Sequence, residues 1–323
     1  MKITRLGTYK TGFKYYKNKI EITNSAEIDK IKLLKIPPAY ENVSILNNKK
    51  IIAFGYDSKN RKQVLYNPAF IAKQNAKKYN KISTSIKFFS KLKKKVAYDL
   101  ERESGGGGDE KTLAIAVIIT LILTCGFRIG NKKYEKDNNS VGLTTLKYKH
   151  SKFENNKILI DFIGKKGVRN VAECDNRIIY DYLSKKAAAA ASKEEYIFSY
   201  AANTKVITSS DVNEYLRDIS TKYDKTGSII ITTKDLRTWN ANMLFLTYYK
   251  KLRKSRCLKV KKGVGGSDNN INSNNIDSEK SINKDIKTAI EMVSDKLHNS
   301  YSICRKSYID PKIIEDILSS IKQ

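Results

Sequence analysis

The sequence predicts an α+β protein in which a small, strand-rich N-terminal domain, residues 1–80, precedes a larger and mainly helical domain, residues 81–323. In the first part, short apolar segments at 51–54 and 64–66 flank a polar turn, a pattern typical of a β-hairpin. From Ile82 onward, apolar residues follow the helical i, i+3, i+4, i+7 spacing, with lysines on the opposite face. This change of period places a domain boundary near residue 80.

The larger domain is predicted to contain a long apolar helix and a second hairpin. Residues 113–127 are apolar but fewer than the roughly 18 needed to cross a membrane, so a buried core helix is expected. Residues 157–163 and 168–172 are strand-like and are separated by a Gly-Lys-Lys-Gly turn, which predicts the hairpin. Further helices are expected at 178–192, 286–297 and 311–321, together with one that Thr233 caps.

Two polar segments of this domain are predicted to be irregular. Residues 104–108 are a serine followed by four glycines, and a flexible joint is expected there. Residues 262–283 are rich in Gly, Asn, Ser and Asp and show no apolar period, which predicts a disordered loop. Neither segment offers a face that a core could bury.

Charge indicates the class of partner. The chain carries 62 Lys and Arg against 33 Asp and Glu, a net charge of +29. An excess of this size is typical of proteins that bind a polyanion, so nucleic acid is the first partner to consider. A membrane surface also attracts cations, but neither a signal peptide nor an apolar run of spanning length is recognisable, and no membrane association is expected.

Composition also excludes several chemistries. The four cysteines include no C-x-x-C pair, which argues against a zinc ribbon and against a disulfide framework. Only two histidines are present, and no G-x-x-x-x-G-K-[ST] loop for nucleotide phosphates occurs. We therefore expect no metal site and no cofactor, so that any chemistry must use arginine, lysine, tyrosine or carboxylate side chains.

Five motifs stand out in order along the larger domain. They are Gly126-Phe127-Arg128-Ile129-Gly130, Gly164-Lys165, Lys234-Asp235-Leu236-Arg237, His298, and Cys304-Arg305-Lys306-Ser307-Tyr308. Together with Lys35-Ile36-Pro37-Pro38 and Val141-Gly142-Leu143, they resemble the type IB topoisomerases of poxviruses, giant viruses and some bacteria. In that family Arg, Lys, Arg, His and Tyr, in this order, form the active site. The resemblance covers most of the chain and implies the catalytic fold that these enzymes share with tyrosine recombinases.

The resemblance implies a role for each of five catalytic residues. Tyr308 would attack a DNA phosphodiester and form a 3′-phosphotyrosyl link, although a phenol of pKa near 10 is barely ionised at pH 7 and needs help. Arg128 and Arg237 would bind the nonbridging oxygens, each contributing about 3 to 4 kcal/mol to the transition state. Lys165 would protonate the 5′ leaving oxygen as a general acid, and His298 would hydrogen-bond another phosphate oxygen.

The resemblance also implies how DNA is held. The two domains would close as a clamp around double-stranded DNA, which would swivel and be resealed without ATP or an obligatory metal. Residues similar to the DNA-contacting segments of the family are Lys59, Arg61, Gln63 and Tyr66 on the N-terminal hairpin, Lys133 and Tyr134 after the arginine motif, and Lys234. A monomer is expected, in a viral factory and the virion if a virus is the source, and beside the chromosome otherwise.

Each motif also has a structural interpretation. Tyr308 is one of 20 tyrosines, and Arg128 could end the apolar helix, since cations favour a helix C terminus. Lys165 could be a solvated turn lysine, and His298 an ordinary residue at a helix end. Arg237 could belong to the cationic face of an amphipathic helix. The joint order of the five motifs favours the catalytic interpretation, because five separate coincidences would otherwise be needed.

Two other functions compete with strand passage. A tyrosine recombinase uses similar residues on a related fold, but it usually carries His-x-x-Arg where this chain has Lys234-Asp235-Leu236-Arg237, and its N-terminal module is helical. A non-catalytic DNA-binding protein would need only the charge of +29 and would not need Tyr308. A metal-dependent nuclease is disfavoured because no paired-carboxylate site with recognisable spacing occurs.

Overall fold

The protein divides into a strand-rich and a mainly helical part, which confirms the α+β prediction. The computed structural model describes residues 2–104, 108–201, 204–224, 227, 229–263 and 279–320. The chain forms two compact units, Met1–Asn80 and Lys81–Gln323, whose residues contact mainly others of the same unit. Residues 105–107 of the predicted glycine joint lie outside the described residues.

The first unit is built on a six-stranded antiparallel sheet. Its strands are β1 (Ile3–Thr8), β2 (Gly12–Lys17), β3 (Ile20–Glu21), β4 (Glu41–Ile45), β5 (Ile51–Tyr56) and β6 (Lys62–Tyr66), in the spatial order β3-β2-β1-β4-β5-β6. The predicted hairpin is confirmed, since β5 pairs with β6 from Ile51 opposite Tyr66 to Tyr56 opposite Lys62. Helix α1 (Ser25–Lys32) buries Ile31 in the same core as Val43 and Ile45.

The remaining helices belong mostly to the second unit. They are α2 (Pro68–Thr84), α3 (Ile86–Ser104), α4 (Glu110–Thr124), α5 (Lys132–Asn138), α6 (Arg177–Ala189), α7 (Ser209–Tyr223), α8 (Thr233–Gly263), α9 (Glu279–Lys296), α10 (Tyr301–Ser307) and α11 (Pro311–Ser319). Two small antiparallel sheets accompany them, one of β7 (Ser151–Glu154), β8 (Lys157–Ile163) and β9 (Arg169–Cys174), the other of β10 (Ser199–Tyr200) and β11 (Lys205–Val206). Pairing of β8 with β9 confirms the second predicted hairpin.

Helix α4 lies at the centre of the larger core, as its apolar sequence predicts. Asp109 caps it by accepting hydrogen bonds from the N–H groups of Lys111 and Thr112. Nine of its fifteen residues are buried, and they lie on every face of the helix. Burial of each of the larger aliphatic side chains contributes about 1.5 to 3 kcal/mol. Nearby, Phe89 of α3 stacks on Trp239 of α8 with ring centroids 4.6 Å apart. Of the described helices, none is long and apolar enough to cross a membrane.

The predicted start of the helical region is wrong by about a dozen residues. Helix α2 begins at Pro68, where the sequence was expected to remain strand-like up to residue 80. Asn67 explains the early start, because its side chain accepts a hydrogen bond of 2.9 Å from the N–H of Ala69 and Pro68 occupies the first helical position. The Asn-Pro pair was therefore the signal for a helix that the apolar spacing did not reveal.

The predicted disordered loop at 262–283 is also wrong at both ends. Helix α8 continues through Gly263, and α9 begins at Glu279, while residues 264–278 lie outside the described residues. Ile282 and Ile286 are buried one helical turn apart in α9, so the amphipathic period begins inside the segment that composition alone marked as loop.

Two glycines allow the chain after α4 to cross the chain before β7. Gly130 has a φ of +84°, which favours glycine, and a Cβ at Gly142 would lie 2.5 Å from the Gly130 Cα. At this crossing the N–H of Leu143 donates to the Arg128 carbonyl at 3.0 Å, and the N–H of Thr144 donates to the Ile129 carbonyl at 2.7 Å. The crossing therefore fixes the backbone that carries Arg128.

We expect Gly142→Ala to destabilise the larger unit by about 3 kcal/mol, because the added methyl group would meet backbone that cannot rotate away. Gly142 has an extended φ of −152°, so the cost is steric rather than conformational. Urea unfolding followed by the fluorescence of Trp239, the single tryptophan of the chain, reports on this unit.

Gly227→Ala serves as the control for that measurement. Gly227 has a φ of +66°, and no atom of the described residues lies within 4 Å of the position that an alanine Cβ would take. The substitution therefore adds strain of about 1 kcal/mol without a clash. Unfolding midpoints that coincide for the wild type and Gly142→Ala would contradict the close crossing.

Candidate active site

Arg237 lies at the centre of the candidate site. Thr232 rather than Thr233 caps its helix, because Thr232 and Asp235 exchange side-chain to backbone hydrogen bonds. Arg237 is only 4% exposed. Its Nη1 donates to the carbonyl of Gly126, and its Nη2 donates to the carbonyl of Leu297 at 3.2 Å. One guanidinium thus joins the end of α4 to the end of α9.

This guanidinium is a buried charge without an anion. In the described parts of the chain no carboxylate pairs with Arg237, and its Nε is buried without a hydrogen bond. Burial lowers the pKa of Arg237, but the usual pKa of a guanidinium is so high that the group stays protonated. Because a buried cation is costly unless it is paired, the site is prepared for an incoming anion such as a phosphate.

The Gly126-Phe127-Arg128-Ile129-Gly130 motif turns directly from α4 into the site. Gly126 has a φ of +70°, and a Cβ there would lie 2.0 Å from the Lys296 carbonyl oxygen, so only glycine fits against the end of α9. Phe127 is fully buried and stacks on the His298 ring, with centroids 5.2 Å apart. The Nη2 of Arg128 donates a hydrogen bond to the Oδ1 of Asn299.

The end of α9 is a Schellman turn with histidine in the position that glycine usually takes. The N–H of His298 donates to the Asp295 carbonyl at 3.0 Å, and the N–H of Asn299 donates to the Ser294 carbonyl at 2.9 Å. His298 consequently has a φ of +51°, a left-handed conformation that is strained for a residue with a Cβ. This turn brings the side chains of His298 and Asn299 to the end of α4.

His298 is neutral at pH 7 in this arrangement. Burial lowers its pKa, and the positive charges of Arg237 and Arg128 lower it further, against a hydrogen bond with the Cys125 carbonyl that raises it. Its Nε2 lies 3.0 Å from that carbonyl oxygen, which can only accept, so Nε2 carries the proton. In the neutral ring Nδ1 therefore has no proton and can only accept. It can donate a hydrogen bond to an anion only when the ring is protonated.

Tyr308 lies at the end of α10, which Ser300 caps. Asn242 holds the backbone at this point, because its Nδ2 donates to the Tyr308 carbonyl at 2.8 Å and its Oδ1 accepts from the Asp310 N–H at 2.8 Å. The side chain of Tyr308 is half-buried, and its ring centroid lies 5.6 Å from the guanidinium carbon of Arg237. The phenol thus faces the buried cation.

The two arginines change the acidity of this phenol. Burial alone would raise the pKa of Tyr308, but the positive charges of Arg237 and Arg128 outweigh it, and the pKa is lowered. The Asn299 amide contributes to the same lowering. The phenolate is therefore more populated at neutral pH than for an ordinary tyrosine.

Lys165 lies apart from this group, on the turn between β8 and β9. The turn closes with a hydrogen bond of 2.8 Å from the Gly164 N–H to the Val168 carbonyl, and the buried Asn170 side chain donates to the same carbonyl at 2.8 Å. The base of the hairpin is tied to the glycine crossing, because the Val141 N–H donates to the Ile163 carbonyl. Lys165 is exposed, and within the described residues no contact joins it to the other four predicted catalytic residues.

The predicted DNA contacts on the N-terminal hairpin are partly engaged with one carboxylate. Arg61 donates to Asp57 through Nε at 2.9 Å, and the Nε2 of Gln63 donates to the same carboxylate at 2.9 Å. Hydrogen bonds from the side chain and the N–H of Arg61, together with the Lys59 N–H, lower the pKa of Asp57 to about 2. Lys59 is exposed, and the Tyr66 ring stacks on Phe70 of α2. A phosphate that binds Arg61 would therefore compete with Asp57.

The predicted contacts in the second unit are solvent-exposed. Lys133 and Tyr134 lie in the first turn of α5, where the Asn131 side chain accepts from the Lys133 N–H at 2.8 Å, and Tyr134 is 63% exposed. Lys234 is exposed in the first turn of α8. All three side chains are accessible to a large ligand.

Sequence reasoning missed the asparagines of the site. Asn242 holds the Tyr308 backbone, Asn299 accepts from Arg128, and Asn170 supports the Lys165 turn. One signal was present for Asn242, which is a polar residue among buried apolar positions of α8 between Trp239 and Phe245. For Asn299 the only available signal was its position directly after His298.

Comparison with known proteins identifies relatives over most of the chain. The catalytic core family of eukaryotic DNA topoisomerase I matches residues 58–323. DNA topoisomerase 1B of Acanthamoeba polyphaga mimivirus is 26% identical over 302 residues, which are 91% of this chain and 81% of that protein. DNA topoisomerase I of monkeypox virus is 30% identical over 206 residues, 61% of this chain and 56% of that protein. A crystal structure of XerA recombinase covers 71% of this chain and 62% of its own with a TM-score of 0.37 and 14% identity, a likeness too weak to carry an argument.

We expect His298 to titrate below the usual histidine pKa of about 6.5 in the free protein, and Arg128→Gln to raise that pKa, because one of the charges that oppose protonation is removed. NMR of the imidazole C–H resonances measures both values, with the His298 signal identified by its loss in His298→Gln. His150 is the internal control, since its lowered pKa depends first on burial and then on Lys149 and Lys147 rather than on Arg128. A His298 pKa that does not respond to Arg128→Gln would contradict the described site.

Proposed function

Because the chain belongs to the DNA topoisomerase I family, as a type IB enzyme similar to viral members, we propose that it relaxes supercoiled double-stranded DNA by cutting one strand with Tyr308, letting the duplex swivel and resealing the cut. The observation that carries this proposal is the half-buried phenol of Tyr308 beside a buried, anion-free Arg237, which lowers the pKa of the phenol. Such a pair offers both a nucleophile and a binding site for the group it attacks.

Cleavage is proposed as a single exchange at phosphorus. The Tyr308 oxygen forms a bond to the scissile phosphorus, and the bond from phosphorus to the 5′ oxygen breaks, which leaves a 3′-phosphotyrosyl link. The proton of the phenol leaves before or during attack, and this loss is favoured by the lowered pKa. The link keeps the energy of the phosphodiester, so the reverse reaction reseals the strand without ATP.

Arg237 and Arg128 are proposed to bind the nonbridging oxygens of the phosphate. Both are held before substrate arrives, Arg237 by the carbonyls of Gly126 and Leu297 and Arg128 by Asn299. Donors that are already in place need not reorganise during the reaction, and one such donor typically contributes about 3 to 4 kcal/mol. The two forked guanidinium groups thus supply the positive charge in place of a metal ion.

Lys165 and His298 are proposed to complete the site on the bound DNA. The exposed position of Lys165 on a hairpin turn leaves it free to protonate the 5′ oxygen when DNA is bound, as a general acid. His298 would become protonated as the phosphate approaches, because a nearby negative charge raises the pKa of an imidazole. Its Nδ1 could then donate to a phosphate oxygen while Nε2 keeps the Cys125 carbonyl.

DNA is proposed to be enclosed by a monomer through contacts from both units. Lys59, Arg61, Gln63 and Tyr66 would contact DNA from the N-terminal clamp domain, residues 1–80, and Lys133, Tyr134 and Lys234 from the catalytic domain, residues 81–323. The net charge of +29 supports tight and salt-dependent binding. The viral relatives support a viral source, and we place the enzyme in a cytoplasmic viral factory and in the virion.

Tyr308 is the nucleophile in the proposed reaction. Wild-type protein is expected to relax a plasmid in EDTA without ATP and to be trapped on DNA by detergent through a 3′ link. Tyr308→Phe removes the attacking oxygen, so both relaxation and the adduct should fall at least about 10⁴-fold, as for loss of other covalent nucleophiles, while binding to DNA persists. A matched variant is Tyr301→Phe, which changes an exposed tyrosine of the same helix, α10, and should leave relaxation unchanged.

Each outcome of this experiment has a clear meaning. Binding without relaxation or adduct would leave only a non-catalytic DNA-binding protein. An adduct accompanied by exchange of strands between two DNA molecules, rather than relaxation by the monomer, would favour a tyrosine recombinase.

Lys165 is the general acid in the proposed reaction. Lys165→Ala should slow single-turnover cleavage by about 10² to 10⁴, because the 5′ oxygen leaves without a proton. Cleavage should recover on a substrate whose 5′ oxygen is replaced by sulfur, since a thiolate leaves readily without protonation. Lys166→Ala, at the neighbouring exposed lysine of the same turn, is the control. Equal losses on both substrates would remove the general-acid assignment of Lys165.

A further inference from the structure

Helix α3 has two chemically different sides. Its buried side carries Phe89, Leu92, Val96 and Leu100, which pack into the larger core. Because successive residues of an α-helix are turned by about 100°, a second set of positions lies on the opposite side. This set, which we call the α3 face, consists of Lys87, Lys91, Lys94, Tyr98 and Arg102, and all five residues are exposed.

The positive charge of the α3 face is offset very little. Four of its five residues are cations. In the described part of the chain no carboxylate forms an ion pair with a lysine of this face, since Asp99 is fully buried and binds Lys95 instead. Glu101 is exposed at one edge of the face and is the nearest acidic residue of α3 that could oppose the charge. The surface therefore attracts an anionic partner.

Two exposed tyrosine rings lie among these cations. Tyr98 is 55% exposed, and the Nζ of Lys95 and the guanidinium carbon of Arg102 each lie 5.5 Å from its ring centroid. Tyr223, the last residue of α7, is 47% exposed, and the Nζ of Lys91 lies 4.7 Å from its ring centroid. Aromatic rings that stay exposed beside cations offer stacking surfaces for a flat ligand.

This combination fits one class of anionic partner. Lysines bind the phosphates of any nucleic acid, but a tyrosine ring can stack on a base only where the base is unpaired and accessible. An acidic peptide would use the lysines and leave both rings without a role. Lys91, which contacts Tyr223, lies about 10 Å from Tyr98 along the helix axis, with Lys94 between them. Bases and phosphates of one strand could therefore be bound alternately.

The α3 face points away from the helices that support the candidate active site. The buried side of α3 packs against α4, which leads to Arg128. On the same side Phe89 stacks on Trp239 of α8, one turn from Arg237. A strand bound to the opposite side of α3 would leave the surroundings of Tyr308 open to a duplex.

We propose that the α3 face and Tyr223 bind a single-stranded segment of nucleic acid outside the cleavage site, with the cations on its phosphates and the rings of Tyr98 and Tyr223 on its bases. Underwound duplex DNA opens locally into single strands, so this surface would favour supercoiled over relaxed DNA. That consequence rests on the function proposed above, whereas strand binding itself does not depend on cleavage.

Four substitutions on one helix separate the contributions of ring, charge and position. Tyr98→Ala removes the ring, and Tyr98→Phe keeps it. Lys94→Ala removes a cation of the α3 face. Lys93→Ala is the matched control, because Lys93 is an equally exposed neighbour that lies about 100° around the helix from Lys94 and outside the face. All four positions are exposed in a helix, so each variant is expected to fold, which urea unfolding checks.

The measurement is fluorescence anisotropy of a labelled oligothymidine of about 15 nucleotides, bound to the full chain in the presence of saturating short duplex. Tyr98→Ala should weaken binding about 5- to 150-fold, while Tyr98→Phe should bind like the wild type, because stacking needs only the ring. Lys94→Ala should lower the slope of log affinity against log salt by about 0.7, as for one lost phosphate contact, and Lys93→Ala should change it far less. Cleavage of the short duplex should be unchanged in all four variants.

Three results would overturn the proposal. The first is complete displacement of the strand by the short duplex, which would place single-strand binding in the cleavage site. The second is wild-type affinity in Tyr98→Ala together with equal effects of Lys94→Ala and Lys93→Ala. The third is tighter binding of a polyglutamate peptide than of the strand, with no effect of Tyr98→Ala, which would identify an acidic protein as the partner.

Oligouridine measured beside oligothymidine distinguishes the two sources of a single strand. Binding of either one that depends on Tyr98 supports the proposal, and the tighter one identifies the strand as RNA or DNA. Absence of any covalent adduct in the wild type would refute the proposed function but leave strand binding in place, so the two failures are distinguishable.

Discussion

The buried guanidinium of Arg237 is the interaction on which the rest of the site depends. Its two acceptors are the backbone carbonyls of Gly126 and Leu297, which end α4 and precede the turn after α9. Residues on both segments, Arg128 on one and His298 on the other, are therefore placed by the same side chain. Since Arg237 has no carboxylate partner among the described residues, its charge remains available to an anion. A salt bridge at this position would have stabilised the free protein and removed that capacity.

The backbone near Arg237 includes two left-handed residues, of which one is a glycine and the other is not. Gly126 is required both by its φ of +70° and by the nearness of the Lys296 carbonyl, whereas His298 adopts a φ of +51° that glycine would adopt more easily. Glycine at the second position would end α9 with less strain, but it would remove the ring that stacks on Phe127 and bonds the Cys125 carbonyl. Strain retained at this position supports the proposed role of the His298 side chain.

The fold class could be predicted, and candidate site residues could be proposed, because each left a local trace in the sequence. The apolar run of α4 and the two hairpins follow simple periods, and the motifs around Arg128 and Arg237 are continuous in sequence. Element ends were predicted less well, because a single cap decides them, as Asn67 does for α2 and Thr232 for α8. Asn242 and Asn299 were not assigned, because the groups that they bind lie 66 and 171 residues away along the chain. Contacts of that separation leave no period or motif.

Charged and neutral neighbours of Tyr308 affect its ionisation differently once a phosphate is bound. The cations Arg237 and Arg128 lower the pKa of Tyr308 in the free protein. A phosphate that binds between them would bring negative charge of its own, which opposes ionisation of the phenol and partly cancels the effect of the two cations. The amide of Asn299, which also lowers the pKa of Tyr308, carries no net charge that a phosphate could cancel. Its preference for the phenolate would therefore persist when the substrate is bound. In the proposed reaction the guanidinium groups of Arg237 and Arg128 would therefore hold the phosphate, and the neutral amide would still favour the phenolate of Tyr308 after the phosphate has arrived.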